Sequence, residues 1–292
     1  MKDIVLLFPS CAMYVWSSTF HHVTMKNNER TSMILNLMPQ QLGQYEPLLL
    51  AKSPERKVQL LDLLNDDLVD FEEGWELQKG LLQDHLNRIS CLPDRSQFCT
   101  EVDHFQFSRG LDSILFLQHK PVYTLGTVSD ESFILSNDAA IPVIRMDRGG
   151  EVTYHGPGQL TVYPILDLRG YKQDIHWYIR ALEEVVIRAL ATLGVDATRQ
   201  DGVTGVWING VKVAAIGIKC RRWVTMHGIA VNVEASSLLP FQGIVACGLE
   251  GRKVGYLNQF LSSNITVFDF AKVLEHAFED VFQIEINKYK HQ

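Results

Sequence analysis

Side chains able to do chemistry crowd into four stretches of this chain. The densest runs Arg148-Gly149-Gly150-Glu151-Val152-Thr153-Tyr154-His155-Gly156-Pro157-Gly158-Gln159, with glycines and a proline interleaved among Arg, Thr, Tyr and His. Glycine lets a backbone approach a ligand closely, so such a segment can wall a narrow site with its own N–H groups. Its order is neither that of a P-loop nor the G-x-G-x-x-G of a dinucleotide site. Composition alone leaves a plain connection between strands equally open. The second stretch holds Lys212, just after the turn residues Asn209-Gly210. Strict alternation sets Lys212 on one face with Ala214, Ile216 and Ile218, an unusual place for lysine. A stem lying along the strand end, with its head in water, accounts for it as well. In the third, Met226-His227-Gly228-Ile229-Ala230-Val231-Asn232, alternation aligns His227 with Ile229 and Val231. Gly228, Ala230 and Asn232 then face the other way and leave room there. Cys247, beside Gly248, makes the fourth: a loop thiol that backbone N–H groups can approach suits a nucleophile. Cys220 competes, since Lys219, Arg221 and Arg222 around it would lower a thiol pKa. These residues alone do not choose between the two thiols.

The elements that must position these groups are legible from hydrophobic spacing. Phe71, Trp75, Gln78, Leu82 and Leu86 step as one face of a helix. Residues 113–117 form a short apolar run read as a buried strand, and 142–146 and 161–168 are further strand candidates. A helix is expected from Asp174 as N-cap to Gly194, burying Tyr178, Leu182, Val186 and Ala189. Another opens on the capping-box pair Thr266 and Asp269 and buries Val267, Phe270, Leu274, Phe278 and Val281. Asn209-Gly210 between apolar runs predicts a type I′ hairpin. Several strands follow one another directly, which favours an α/β (α+β) architecture of mixed sheets flanked by helices over a doubly wound fold.

Composition bounds the function. The 292 residues carry 27 Lys+Arg against 34 Asp+Glu, a net charge of −7, which argues against a general nucleic-acid binder. Five cysteines (Cys11, Cys91, Cys99, Cys220 and Cys247) form no CxxC pair, so a reducing compartment, free thiols and no metal site are expected. The apolar start Ile4–Phe8 is broken at Pro9, far short of the ~18 residues of a membrane span. Residues 1–57 lack sustained periodicity. They read as a poorly ordered extension or as translation from an upstream start (Met25 and Met33 are alternatives), leaving 58–292 as one catalytic domain.

Taken together and in order, Arg148-Gly149-Gly150-x-x-Thr153-Tyr154-His155-Gly156-Pro157-Gly158-Gln159, Lys212–Gly217, His227-Gly228-Ile229-Ala230-x-Asn232 and Cys247-Gly248 resemble the lipoyl(octanoyl) transferase family, as does Pro121–Gly126. The resemblance implies a biotin/lipoate protein ligase-like catalytic domain. It implies transfer of an octanoyl group from octanoyl-acyl carrier protein to a lysine of lipoyl domains, in 2-oxoacid dehydrogenases or the glycine cleavage H protein. By the same resemblance Cys247 is the nucleophile that becomes an acyl thioester, and Lys212 lowers its pKa. Arg148, Gly149, Gly150, Glu151, Val152, Thr153, Tyr154 and His155 would line the acyl site. So would Ala215, Ile216, Gly217, Gly228, Ile229 and Ala230. No cofactor, metal, nucleic acid or membrane is expected, and the chain is expected to be a cytoplasmic monomer. One departure is Ala246, where the family usually has proline before the cysteine.

The chemistry fits that expectation. A free thiol titrates near 8.5, so a neighbouring ammonium raises the thiolate fraction at neutral pH. An eight-carbon chain at ~0.8 kcal/mol per buried CH₂ can draw about 5 kcal/mol from a tunnel of small residues. The rivals are an ATP-dependent lipoate ligase, a non-catalytic acyl-binding or scaffold protein, and a thiol hydrolase. The hydrolase would pair Cys247 with His155 or His227, and no Asn or Asp orienter is assignable from sequence. The cationic Lys219-Arg221-Arg222 cluster, or Arg252-Lys253, is the expected dock for an acidic carrier protein.

Overall fold

A computed structural model describes residues 56–65, 67–90, 112–127, 129–135, 140–245 and 253–288. The expectations for residues 1–55 and for Cys11, Cys91, Cys99 and Cys247 lie outside the described residues.

Strand β1 (Lys57–Asp62) is followed by helix α1 (Phe71–Ser90), which buries Phe71, Gln78, Leu82 and Leu86 as their spacing predicts. Next come β2 (Ser113–Leu117), buried throughout, β3 (Val122–Leu125), β4 (Val143–Arg145), β5 (Thr153–His155) and β6 (Gln159–Ile165). The strand expected over 161–168 ends at Ile165 because Asp167 turns the chain: its carboxylate accepts the Arg169 N–H. Helix α2 (Ile175–Thr192) starts where expected, with Asp174 accepting the Trp177 N–H at 3.0 Å. It stops before Gly194, whose φ is +75°. Strands β7 (Thr198–Gln200), β8 (Val203–Ile208), β9 (Val211–Arg221) and β10 (Val224–Asn232) follow. The β8–β9 turn is the expected hairpin, with positive φ at both Asn209 and Gly210. Thr266 and Asp269 form the predicted capping box of helix α3 (Val267–Phe282), and β11 (Glu285–Lys288) closes the described chain.

The large sheet has the order β11-β1-β2-β6-β10-β9-β8-β7. Strand β1 pairs parallel with β11 and β2, and from β2 onward the neighbours are antiparallel. Helices α2 and α3 share one hydrophobic core with a face of this sheet; Phe270, Leu274, Phe278, Leu182 and Val186 meet Ile114, Leu160 and Val231 there. Each such side chain, fully buried, contributes about 1.5–3 kcal/mol, which fixes the sheet as a rigid platform. Helix α1 covers part of the opposite face, packing Leu82 and Leu86 on Leu115, Tyr163 and Met226. A second sheet, β4-β3-β5, has its own cluster of Tyr123, Leu125, Val152, Tyr154 and Ile244. This is the mixed-sheet, helix-flanked architecture expected. Among the described residues no helix is long and apolar enough to cross a membrane.

Candidate active site

Two interruptions of strand alternation bring the site together, and both correct the sequence reading. Val206 pairs with Ala214 but Trp207 pairs with Lys212, so β9 carries one extra residue, a bulge at Val213. An extra residue shifts every later side chain to the other face. Lys212 therefore does not share a face with Ala214, Ile216 and Ile218, which pack into the core beneath α2 and α3. It lines a cavity with Ala215 and Gly217 instead. On β10, His227 has φ +57°, a left-handed conformation uncommon for a non-glycine residue and one that breaks the strand's alternation. Its ring leaves the side of Ile229 and Val231 and meets Tyr163 on the cavity side, at 6.2 Å between centroids.

The cavity measures about 290 Å³. From the glycine-rich segment Arg148, Gly150, Glu151, Thr153 and His155 line it; β9 gives Lys212, Ala215, Ile216 and Gly217; β10 gives His227, Gly228, Ile229 and Ala230. Three predicted residues stand behind the wall. Gly149 binds its N–H to the Ile218 carbonyl at 3.1 Å, and Val152 and Tyr154 alternate away from the cavity into the core of the small sheet. Sequence reasoning missed Phe71 at the start of α1, Thr161 and Tyr163 on β6, and the 202–204 corner, all of which line the cavity. No local spacing marks them, because they reach the site only through the packing of α1 and the β7–β8 hairpin onto the sheet.

Lys212 is buried, with its ammonium 5.2 Å from the centre of the Trp207 ring. Gly205, at φ +137°, lets it through: a Cβ there would stand 2.7 Å from Lys212 Cε. The Lys212 backbone holds the segment after residue 252, donating to the Lys253 carbonyl and accepting from the Gly255 N–H, each at 2.9 Å. Arg148 does not offer its guanidinium to the cavity alone. It donates to the carbonyls of Gly149, Glu151 and Thr124 and to Thr124 Oγ1, at 2.8–3.1 Å, and so folds the glycine-rich segment onto β3.

A buried polar network runs from this segment to the Lys212 edge. Gln159 donates through Nε2 to the Tyr154 carbonyl and to Asn232 Oδ1, at 2.9 and 3.0 Å, which leaves its Oε1 to accept from His155 Nδ1 at 2.8 Å. Asn232 in turn donates to the Gly255 carbonyl at 3.0 Å. Burial holds His155 well below the ordinary imidazole pKa, and the nearby His119 and Arg148 push the same way. His227 is lowered to about 4 by burial, against the opposing pull of Asp147, whose Oδ1 lies 3.1 Å from its Nε2. Burial pushes the Asp147 carboxyl up, but hydrogen bonds from Lys219 and His227 outweigh this and hold it below the usual range. Both histidines thus have an orienting partner, Gln159 for His155 and Asp147 for His227, which sequence alone did not assign. Glu151 Oε2 and Thr153 Oγ1 are buried without a hydrogen-bond partner among the described residues, and both residues line the cavity.

Of the two competing thiols, Cys220 packs against the main core, and burial raises its pKa despite the cationic neighbours. Cys220 is not among the residues that line the cavity. Within the Lys219-Arg221-Arg222 cluster, Lys219 is paired with Asp147, whereas Arg221 and Arg222 are exposed.

Residues 97–279 match the model of the lipoyl protein ligase A/B catalytic domain. The chain belongs to that family. An octanoyltransferase from Arabidopsis thaliana, labelled chloroplastic, is 39% identical over 280 residues, covering 92% of this chain and 91% of the relative. An octanoyltransferase from Nostoc punctiforme is 46% identical over 238 residues, 80% of this chain and 94% of that one. Among solved structures, a lipoate-protein ligase A bound with ATP aligns with a TM-score of 0.57 at 16% identity, over 82% of this chain and 90% of that chain. A bipartite lipoate protein ligase from Thermoplasma acidophilum, described with its E2 lipoyl domain, aligns with a TM-score of 0.55 at 17% identity, over 82% and 88%. These likenesses establish the lipoyl protein ligase fold for the sheet and helices described above.

Proposed function

We propose that this chain is an octanoyltransferase: it moves an octanoyl group from octanoyl-acyl carrier protein to a lysine of lipoyl domains, through a thioester on Cys247. The observation that carries the reading is a buried Lys212 ammonium in a cavity walled by Ala215, Gly217, Gly228 and Ala230. Small residues leave space for an alkyl chain, and Lys212 supplies the cation that favours a thiolate. The relatives named octanoyltransferase support the choice of acyl group. Cys247 lies outside the described residues, yet the described chain on either side is anchored. Val245 donates to the Phe133 carbonyl at 2.8 Å, and Lys253 and Gly255 are paired with Lys212.

In the first half of the reaction the Cys247 thiolate attacks the donor thioester. The carrier-protein thiolate leaves and takes up the proton that Cys247 gave up. In the second half the acceptor lysine attacks the enzyme thioester, forming the amide and returning Cys247. Thioester exchange is close to isoenergetic, so the reading requires no ATP. Arg148, Gly149, Val152 and Tyr154 act by shaping the wall; Gly150, Glu151, Thr153 and His155 would touch the acyl chain or its carbonyl, whereas Ile216 and Ile229, whose side chains pack in the core, would offer only their backbone.

The test is intact mass after incubation with octanoyl carrier protein, without ATP, for the wild type and Cys247→Ser. A hydroxylamine-labile octanoyl adduct in the wild type, lost in the variant, supports the reading. A requirement for ATP, or the same labile adduct in the variant, overturns it. Arg221 and Arg222 are the proposed carrier-protein dock; reversing both charges should raise the KM for octanoyl carrier protein and flatten its salt dependence. Residues 58–292 are proposed as the catalytic unit, acting as a monomer. Arg56 belongs with them structurally, since its carbonyl accepts the Glu285 N–H at 2.8 Å. A cytoplasmic location follows from the sequence reading, while one relative is labelled chloroplastic. A fluorescent reporter fused behind residues 1–57 separates the two compartments.

A further inference from the structure

Glu183 is the one charged residue that α2 buries, among Tyr178, Ala181, Leu182, Val185 and Val186. A carboxylate holds such a place only when its oxygens are paired and hydrogen-bonded. Oε2 accepts from Arg180 Nη1 at 2.7 Å and from Arg199 Nε at 3.0 Å, and Oε1 accepts the backbone N–H of Gly205 at 3.0 Å. Arg199 also donates to Glu184 Oε2 at 2.6 Å and to the Arg180 carbonyl at 3.1 Å. Together these bonds tie the β7–β8 hairpin to α2. Strand β7 is the last in its sheet, and its register with β8 shifts between Thr198 and Gln200, so the ladder alone holds this corner weakly.

The tie bears on the buried lysine of the cavity. Residues 202–204, which line the cavity, lead directly into Gly205. Gly205 lies against the Lys212 stem: a Cβ there would stand 2.7 Å from Cε, 3.3 Å from Nζ and 2.6 Å from the Ala214 carbonyl oxygen. Its φ of +137° is open to glycine and strained for other residues. The Gly205 peptide is thus one wall of the channel along which Lys212 enters the cavity, and a side chain of α2 holds that wall from behind. We propose that Glu183 is a positioning residue for Lys212, acting through the Gly205 peptide, with Arg199 as its partner. Its bearing on catalysis rests on the octanoyl-transfer reading above. Glu183 does not line the cavity. Its loss frees the 202–205 corner to move and the Lys212 stem to leave its place, and a displacement of ~1 Å at a reacting site costs about 10²-fold in rate.

The test compares Glu183→Leu with Glu183→Gln in the full chain. Both remove the charge, but glutamine keeps an oxygen for the Gly205 N–H and leucine does not, so their difference reads that bond. Each folded protein is labelled with a trace of acetic anhydride, and acetylation of Lys212 is measured by peptide mass spectrometry against the exposed Lys120. In Glu183→Leu, Lys212 labelling should rise about tenfold or more through local opening, while in Glu183→Gln it should stay within about threefold of wild type. Phe278→Leu, which loosens the main core elsewhere, should leave Lys212 labelling at the wild-type level. Equal labelling in the two Glu183 variants, or an equal rise in Phe278→Leu, overturns the proposal and leaves Glu183 a purely structural role. In octanoyl transfer, kcat of Glu183→Leu should fall about 10²-fold with KM within about threefold of wild type; a change confined to KM also overturns it. Should Glu183→Leu fail to fold, Gly205→Ala carries the test, and unchanged Lys212 labelling there overturns the proposal. A wild type that forms no octanoyl adduct overturns the octanoyl-transfer reading instead, and the labelling comparison still decides what holds Lys212.

Discussion

Replacing Asn232 with leucine tests whether the buried polar network supports both the fold and the Lys212 edge. Asn232 makes two bonds of 3.0 Å, accepting from Gln159 Nε2 and donating to the Gly255 carbonyl. Leucine is of similar size and fills the site, so the change is electronic rather than a cavity. Gln159 Nε2 keeps the Tyr154 carbonyl at 2.9 Å and loses one net bond, worth about 0.5–1.5 kcal/mol. The buried Gly255 carbonyl loses its amide donor, a desolvation penalty of about 1–3 kcal/mol. The sum is roughly 1.5–4.5 kcal/mol, readable as a lower urea midpoint at unchanged slope. Because the Gly255 N–H is bonded to the Lys212 carbonyl, kcat for octanoyl transfer should fall more than KM rises. Asn232→Asp gives a signed control. A protonated aspartate can still donate to Gly255, while an ionised one faces that carbonyl with a charge. Its folded pKa is therefore raised, and its stability contribution is present at low pH and lost as pH rises through that value. Asn232→Leu within about 0.5 kcal/mol of wild type would refute the network argument, since surface-like substitutions fall in that range.

Arg148→Lys keeps the charge but cannot reproduce the planar fork that spans Gly149, Glu151 and Thr124, and should cost about 2–4 kcal/mol in chemical denaturation. Folded His119 titrates at about 4, lowered by burial, so between that value and its unfolded 6.5 the unfolded chain binds the extra proton. Stability should therefore fall as pH drops from 6.5 toward 4, by up to about 1.4 kcal/mol per pH unit for this one group, and His119→Phe should flatten that limb in denaturation curves taken across pH. Asp112, pushed up to about 7 by burial, contributes with the opposite sign in the same window, losing stability as pH rises. Thr153→Val removes the buried, unpartnered Oγ1 at constant shape. Its melting temperature should hold or rise while kcat/KM falls, and an unchanged kcat/KM shows that the hydroxyl does not touch substrate.

Most of the scaffold is legible in the sequence because its signals are local. The Asp174 cap, the Thr266–Asp269 capping box and the Asn209-Gly210 turn each satisfy their own backbone groups within a few residues, so spacing reads them correctly. The Arg148–His155 segment was also marked by composition, but alternation on β5 splits it: Thr153 and His155 face the cavity, Val152 and Tyr154 the small-sheet core. A contiguous motif is thus not a contiguous wall.

The illegible part has one physical origin. A period of two predicts faces only while the ladder is regular, and the site is built where it is not. Without the bulge at Val213, Lys212 would lie among Ala214, Ile216 and Ile218, beneath the two core helices. Without the left-handed φ at His227, its imidazole would lie with Ile229 and Val231 on that same side. Each irregularity alone would leave one polar group in the cavity and strand the other in an apolar core, at a desolvation cost of several kcal/mol. The two irregularities lie in different places: the bulge breaks the β8–β9 register, whereas the β9–β10 register runs unbroken past His227, from Val224 opposite Arg221 to Val231 opposite Ala214. Each serves a tertiary requirement, the apolar core on one side of the sheet and the cavity on the other, that is written in no single stretch of residues.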